Sequence, residues 1–439
     1  MNEQDILSQP VALPEGVDYD EYIIGTYLVC FPVNIPVPVG AQMLAIEQST
    51  GTWTAVPGET PEVRRKHVAK VIGVYEVPDY EFSVPSSVET RNYIVQIAYP
   101  EVNIGEQIPI LLTTVVGNIS MAGQIKLVDV YFPEKYVAGF KGPKFGISGV
   151  RKILGISGRP LLNNMIKPCT GYSPEVGVRL FREAALGGCD IIKDDELLAD
   201  ASFNAVEKRV KLYMEAERQA YEETGEHTLY TVNITDKVPK VFENAKRVVE
   251  LGGNAIMVNY LAVGLPVLQA LAEDPEINVP ILGHMDVTGA MYMSPYHGMS
   301  SHIILGKLPR LAGADVAVFP LPYGKASFIN IVRDKYLNVW RNLTFPLYQL
   351  KPVFPMPGGG ITPSMVPQIM NDLGNEVVVG VGGGIHAHPQ GPRAGARAFR
   401  QAIDATMQGI SLTEAAKKHP ELATALQIWV EPFKEIKGG

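Results

Sequence analysis

Residues 352–384 read PVFPMPGGGITPSMVPQIMNDLGNEVVVGVGGG: an apolar strand-like run closed by three glycines, a helical stretch, and a second apolar run closed by three more. Two strands joined by a helix form a parallel pair, since a crossover is what returns the chain to the same end of a sheet. Working outward, the unit recurs. LLNNMIKP (161–168), DIIKDDE (190–196), TLYTVNIT (228–235), NAIMVNYL (254–261), VPILGHMD (279–286) and ADVAVFP (314–320) are further strand candidates. Helical stretches follow them, as at Pro174–Leu186, Val238–Leu251 and Pro392–Met407. Eight βα units in roughly 250 residues predict an α/β fold closed as a (β/α)8 TIM barrel. An open doubly wound sheet is the alternative arrangement of the same units.

The first part of the chain is patterned differently. YIIGTYLVCF (22–31), RNYIVQIAYP (91–100) and IKLVDVYF (125–132) read as strands, with Ala41–Thr50 and Glu62–Lys70 as short helix candidates. This mixture predicts a smaller α+β domain of ferredoxin-like type. The glycine- and lysine-rich stretch VAGFKGPKFGISG (137–149) breaks the periodicity and marks a boundary. The expected organisation is an N-terminal domain over 1–140, a barrel over 141–425 and a tail over 426–439.

With 46% hydrophobic and 19% charged residues, the 439-residue chain has ample material for two cores. A net charge of −8 excludes nonspecific nucleic-acid binding, which needs a basic surface. Cys30, Cys169 and Cys189 are too few and too scattered for a disulfide framework. MNEQDILSQP (1–10) lacks the basic and apolar regions of a signal peptide, and no apolar run is long enough to span a bilayer. A cytoplasmic protein with no membrane partner is expected.

In such a barrel, chemistry sits where strands end and βα loops begin. Polar and glycine residues cluster there: Lys167, Lys193 to Glu196, Asn233, Asn259, His284, Gly358 to Gly360 and Gly382 to Gly384. IIKDDELL (191–198) is the most informative segment, because consecutive ionisable residues after an apolar strand are costly unless they face a polar site. Alternation puts Lys193 and Asp195 on one face, and Glu196 can turn to join them around a hard cation. The competing reading is a solvated turn with an ordinary Lys–Asp ion pair. Gly358, Gly359, Gly360, Gly382, Gly383 and Gly384 suit a phosphate, because backbone N–H groups in such loops approach an anion closely; tight turns are the alternative.

GGCDIIKDDE (187–196) resembles the segment of the RuBisCO superfamily in which a CO2-carbamylated lysine and the following Asp and Glu bind Mg2+. The resemblance implies that Lys193 carries the carbamate and that Asp195 and Glu196 complete the metal ligands. MIKP (165–168) is similar to the family's first-strand motif, implying an acid/base role for Lys167. GHMD (283–286) matches its fifth-strand histidine, implying proton transfer or hydroxyl binding by His284. Lys325 in PYGKAS (322–327) stands where the family has a catalytic loop-six lysine. EQSTGTWT (47–54) and VVGN (115–118) resemble segments that reach into a partner's active site. Glu47, Thr52, Trp53 and Asn118 would then act in trans, implying a homodimer or a higher assembly of dimers.

Three positions depart from the CO2-fixing enzymes of that superfamily: Cys169 replaces a lysine, Met285 an arginine and Val318 a histidine. Loss of a fixed cation removes a charge-assisted hydrogen bond worth about 1.5 to 3 kcal/mol. One phosphate and one less polar end are therefore expected of the substrate. PEINVPILGHMDVTGAMYMSPYHG (275–298) and GKLPRLAGADVAVFPLPYG (306–324) most resemble the RuBisCO-like branch that acts on methylthio-pentulose phosphates in methionine salvage, as enolases or isomerases. The enolase pattern has a lysine base where this chain has Asn118. Mg2+-dependent enolisation of a ketose-type monophosphate is thus the leading expectation. A transcarboxylase or decarboxylase of a phosphorylated oxo-sugar acid uses the same machinery. Carboxylation of a bisphosphate is disfavoured by Cys169, Met285 and Val318; a Schiff-base aldolase and a non-catalytic binding protein are further alternatives.

Overall fold

The computed structural model describes residues 18–429 except 52, 53 and 55. Contacts divide the chain into two compact units, Met1–Phe140 with Val287–Ile304, and Lys141–Asp286 with Leu305–Gly439.

In the first unit, β1 (Tyr22–Pro32), β2 (Lys70–Val77), β3 (Thr90–Pro100) and β4 (Ile125–Tyr131) form a sheet in the order β4-β1-β3-β2, every pair antiparallel. Helices Val37–Glu47 and Pro61–His67 lie between β1 and β2, and Ile108–Val116 between β3 and β4, which gives the βαββαβ order of a ferredoxin-like domain. Along β1, Ile23, Tyr27 and Val29 are buried and their neighbours only partly so, the period-two pattern of a sheet with one face covered. The Tyr27 hydroxyl is satisfied inside that core, donating to the Val115 carbonyl at 2.9 Å and lying 2.8 Å from the Tyr99 hydroxyl.

The second unit holds β5 (Leu161–Met165), β6 (Ile191–Lys193), β7 (Leu229–Asn233), β8 (Ala255–Asn259) and β9 (Ile281–His284). β10 (Gly298–Met299) belongs to the first unit, and β11 (Val316–Pro320), β12 (Phe354–Gly358) and β13 (Val378–Val381) return to the second. All eight expected barrel strands form and close in the ring β11-β12-β13-β5-β6-β7-β8-β9, with β9 pairing back to β11. A closed ring excludes the open doubly wound sheet. The strands read as nearly unbroken apolar runs because both faces are covered. Leu161, Ile191, Leu229, Leu282, Val318 and Phe354 pack together as a filled core. Two expected helices, Pro174–Leu186 and Pro392–Met407, form over the expected residues.

One segment departs from the expected organisation. Residues 287–304, read as part of the barrel, cluster with the first unit: Gly298–Met299 pairs with β4, and the Lys126 ammonium donates to the carbonyls of Tyr292, at 3.0 Å, and Ser294. The expected tail begins inside a helix, Pro420–Ile428, and residues 430–439 lie outside the described residues. Among the described residues, no helix is long and apolar enough to cross a membrane.

The end of the barrel opposite the strand C-termini is fastened by Asp315. Its carboxylate, wholly buried, accepts backbone N–H bonds from Phe145 (2.7 Å), Gly146 (2.8 Å) and Ile281 (2.9 Å). This ties the helix Gly146–Leu154 to β9 and β11 beneath the core. Asp315→Ala would leave three backbone donors without this partner, two of them buried, and urea titration is expected to show a loss of about 3 kcal/mol or more.

Candidate active site

Three strand ends bring the ionisable residues together. Lys167 lies two residues beyond β5, Lys193 closes β6, and His284 closes β9. Lys167 Nζ donates to Asp195 Oδ2 at 2.7 Å and lies 3.0 Å from Cys169 Sγ. Lys193, fully buried, donates to Glu196 Oε2 at 3.0 Å and to the Asp194 carbonyl at 2.7 Å. His284 Nε2 is 3.3 Å from the same Glu196 oxygen. The alternation expected at the strand end is present: Lys193 and Asp195 turn to the mouth, and Asp194 turns away to pair with Arg209.

The backbone after β6 is held by the side-chain amides that close β7 and β8. Asn233 Nδ2 donates to the carbonyls of Asp195 (3.2 Å) and Glu196 (3.1 Å), and Asn259 Nδ2 donates to that of Glu196 (3.1 Å). These two residues stand out in the sequence only as polar strand ends; their work is to shape the turn that aims Glu196.

The charges follow from these contacts. Burial pushes the Glu196 carboxyl up, but the charge and hydrogen bond of the Lys193 ammonium, with a backbone hydrogen bond, outweigh it and hold it at about 2. Burial, aided by Lys193, drives His284 down to about 3, so its imidazole is neutral and its contact with Glu196 is not an ion pair. Burial would lower Lys167, yet the hydrogen bond and charge of Asp195, with Cys169 alongside, raise it. Two ammonium groups and two carboxylates therefore offset each other in a largely dehydrated cluster. This excludes the solvated-turn reading, since Lys193 and Asp195 have no exposed surface.

The glycine loops are only partly free for an anion. A Cβ on Gly360, whose φ is +76°, would stand 2.5 Å from the Ala326 nitrogen, and the Gly360 carbonyl accepts from Lys325 N at 3.1 Å. Its glycine is required by the close approach of the loop after β11. At the β13 loop, a Cβ on Gly382 would meet Lys167 Cε at 3.0 Å, whereas one on Gly383 would meet nothing within 4 Å. Open backbone thus lies directly beside Lys167. Gly358 packs on Met165, whose Cε would be 3.3 Å from a Cβ there.

Other expected residues have partners of their own. Lys325 Nζ donates to the Trp429 carbonyl at 2.9 Å and sits 4.9 Å over that indole. Glu47 and Asn118 meet in the first unit, where Asn118 Nδ2 donates to Glu47 Oε1 at 3.1 Å. They line a mainly apolar cavity of about 620 Å³ with Phe31, Met43, Leu44 and Met121. Thr52 and Trp53 lie outside the described residues. Val318 belongs to the barrel core, and Met285 and Met165 pack against it, so these side chains form an apolar floor.

The sequence reading missed His386, on the short helix Gly383–His386 after β13. Its Nε2 is buried without a hydrogen-bond partner among the described residues, and burial together with Lys167 lowers its pKa to about 4. Its position directly after a glycine triplet was the available signal.

Comparison with known proteins bears on this geometry. Residues 19–136 match the family described as ribulose bisphosphate carboxylase large chain, N-terminal domain, and residues 146–429 the catalytic domain of the same chain. A ribulose bisphosphate carboxylase-like protein of Archaeoglobus fulgidus is 60% identical, over 96% of both chains. A 2,3-diketo-5-methylthiopentyl-1-phosphate enolase of Bacillus cytotoxicus is 42% identical, over 90% of this chain and 95% of its own. The structure of a rubisco-like protein (MtnW) from Alicyclobacillus acidocaldarius superposes with a TM-score of 0.86 at 38% identity, covering 93% of this chain and 100% of that one. A dimeric archaeal Rubisco from Hyperthermus butylicus gives 0.83 at 34%, covering 93% and 96%.

His386 supplies a test of the burial described above. A histidine held near 4 rather than the usual 6.5 stays neutral in the fold, while the unfolded chain takes up its proton. Its contribution is therefore present above pH 6.5 and lost as pH falls toward 4, with a slope approaching ~1.4 kcal/mol per pH unit. His386→Gln is expected to flatten that acid limb by one proton, read from urea midpoints at pH 7, 6 and 5.

Proposed function

Because the chain belongs to the ribulose bisphosphate carboxylase large-chain family, as a RuBisCO-like protein, we propose that it is an enzyme that enolises a ketose-type monophosphate, a methylthio-pentulose phosphate of methionine salvage. The observation that carries this reading is the convergence of Lys167, Lys193, Asp195, Glu196 and His284 at three strand ends.

Mg2+ is the proposed cofactor, with CO2 for carbamylation. Among the described residues, no three His, Cys, Asp or Glu side chains are grouped to hold a metal ion. Lys193 stands where a third acidic ligand belongs, its ammonium against Glu196. Its neutral amine can add CO2 and release a proton, forming a carbamate with the oxygen donors a hard cation prefers. Carbamylation removes one positive charge and adds one negative, and a divalent cation restores the balance. Lys193, Asp195 and Glu196 thus fit the ion, which would supply Lewis-acid polarisation of a substrate carbonyl.

The chain's own residues do the rest. With Asp195 among the ligands, less of its charge would support the Lys167 ammonium, the group placed to move a proton beside the substrate carbonyl. Neutral His284 offers a hydrogen bond to a substrate hydroxyl. Backbone at Gly382 to Gly384, beside Lys167, would take the single phosphate. Met165, Met285 and Val318 leave the barrel floor apolar, as a methylthio end requires. Glu47 and Asn118, with Thr52 and Trp53 in the same segments, would complete the site of a second copy, making the working unit a homodimer or an assembly of dimers; the likeness to a dimeric Rubisco supports this.

A second reading has one specific support. Position 118 is an asparagine bonded to Glu47, not a lysine base, so isomerisation or decarboxylation on the same enolising machinery is the alternative to the enolase reaction. Both start with proton abstraction beside a carbonyl. Incubated in D2O with Mg2+ and bicarbonate, the enzyme is expected to exchange a substrate carbon-bound proton, followed by NMR, and EDTA is expected to abolish exchange. Lys193→Ala should slow it by about 10²-fold or more; exchange at the parental rate would sink the assignment.

A further inference from the structure

We propose that Arg209 and Asp194 are positioning residues of the barrel mouth: their ion pair sets how well Lys193, Asp195 and Glu196 converge on a divalent cation. The inference rests on the metal-binding reading of those three residues.

Asp194 faces away from the mouth and has no exposed surface. Its Oδ2 accepts from Arg209 Nε (3.2 Å), Arg209 Nη2 (3.0 Å) and the Asn233 backbone N–H (3.0 Å). Its Oδ1 accepts from the Tyr230 hydroxyl at 2.8 Å. The carboxylate is therefore held from the helix layer and from β7 at once. The carbonyl of the same residue accepts the Lys193 ammonium at 2.7 Å. Anchoring the Asp194 side chain outward thus turns its peptide toward Lys193 and leaves Asp195 facing inward to Lys167.

Arg209, fully buried on the helix Val206–Thr224, ties this strand end to two loops. Its Nη1 donates to the carbonyls of Asn204 and, at 3.3 Å, Ala199. Asn204 Nδ2 donates in turn to the Tyr172 carbonyl at 2.8 Å, in the loop after β5 that also carries Lys167 and Cys169. One guanidinium therefore links the segments that present Lys167, Lys193, Asp195 and Glu196.

An apolar pair of similar volume could fill this layer with no desolvation penalty. What such packing cannot do is set the rotation of a peptide, which directional charge-assisted bonds can. Arginine is suited to the task because its fork of donors reaches the carboxylate and both carbonyl groups together.

The test uses the full-length protein carrying Arg209→Met, Arg209→Lys or Asp194→Asn, with Mn2+ affinity measured by titration in bicarbonate and folding followed by circular dichroism. Folded Arg209→Met and Asp194→Asn are expected to bind Mn2+ about 10- to 100-fold more weakly than the parent. Arg209→Lys, which keeps the charge and loses the fork, is expected to fall between. A lower Tm with an unchanged Mn2+ Kd marks a purely structural pair and overturns the proposal. If Arg209→Met and Asp194→Asn do not fold, Arg209→Lys decides, since it keeps the charge and loses the fork that holds the Asp194 carboxylate and the loop carbonyls together: weaker binding supports positioning, parental binding overturns it. A parental protein that binds no Mn2+ overturns the metal reading and this inference together, whereas strong parental binding that the variants do not alter overturns this inference alone.

Discussion

The mouth of this barrel depends on a balance of buried charge. Lys167, Lys193, Asp195 and Glu196 are each within 3.0 Å of an opposite partner, and Asp194 and Arg209 pair just behind them. In a medium less polarisable than water, an unpaired member of this set would cost several kcal/mol, so none can be removed without disturbing its partner. That mutual dependence explains why the surrounding amides matter. Asn233 and Asn259 carry no charge, yet by taking the carbonyls of Asp195 and Glu196 they fix the turn on which the pairing relies.

The fold was legible because its signals repeat. Eight apolar runs ending in polar or glycine residues can close a barrel, and parallel strands buried on both faces leave long hydrophobic words in a sequence. The segment 287–304 was not legible in this way. Its attachment to β4 rests on a two-residue bridge and on Lys126 reaching two backbone carbonyls, contacts that carry no periodicity.

The site was half legible, for reasons that differ by residue. Period-two alternation correctly separated Lys193 and Asp195 from Asp194, and that same argument implies a buried cation for Asp194 somewhere in the helix layer. Which of the later arginines supplies it depends on helix placement, so Arg209 emerged only with the structure. The glycine triplets look alike in the sequence, yet Gly360 serves the approach of the neighbouring loop and Gly383 faces open space. Lys325, placed by resemblance near the chemistry, is bonded to Trp429, 104 residues further along the chain.

Under the proposed function, substrate choice would turn on the apolar floor. Replacing a phosphate-binding cation forfeits about 1.5 to 3 kcal/mol for a second phosphate. An apolar wall returns ~0.8 kcal/mol per buried CH2 equivalent, so a tail of three or four heavy atoms against Met165, Met285 and Val318 recovers a comparable amount. A bisphosphate would in addition leave an anion facing methionine and valine with its water removed, which adds a desolvation penalty to the lost attraction. The two effects act in the same direction. On that proposal, discrimination between a monophosphate with an apolar tail and a bisphosphate would need no dedicated repulsive group; it would follow from the side chains that line the floor rather than from the ionisable cluster, which both substrates could share.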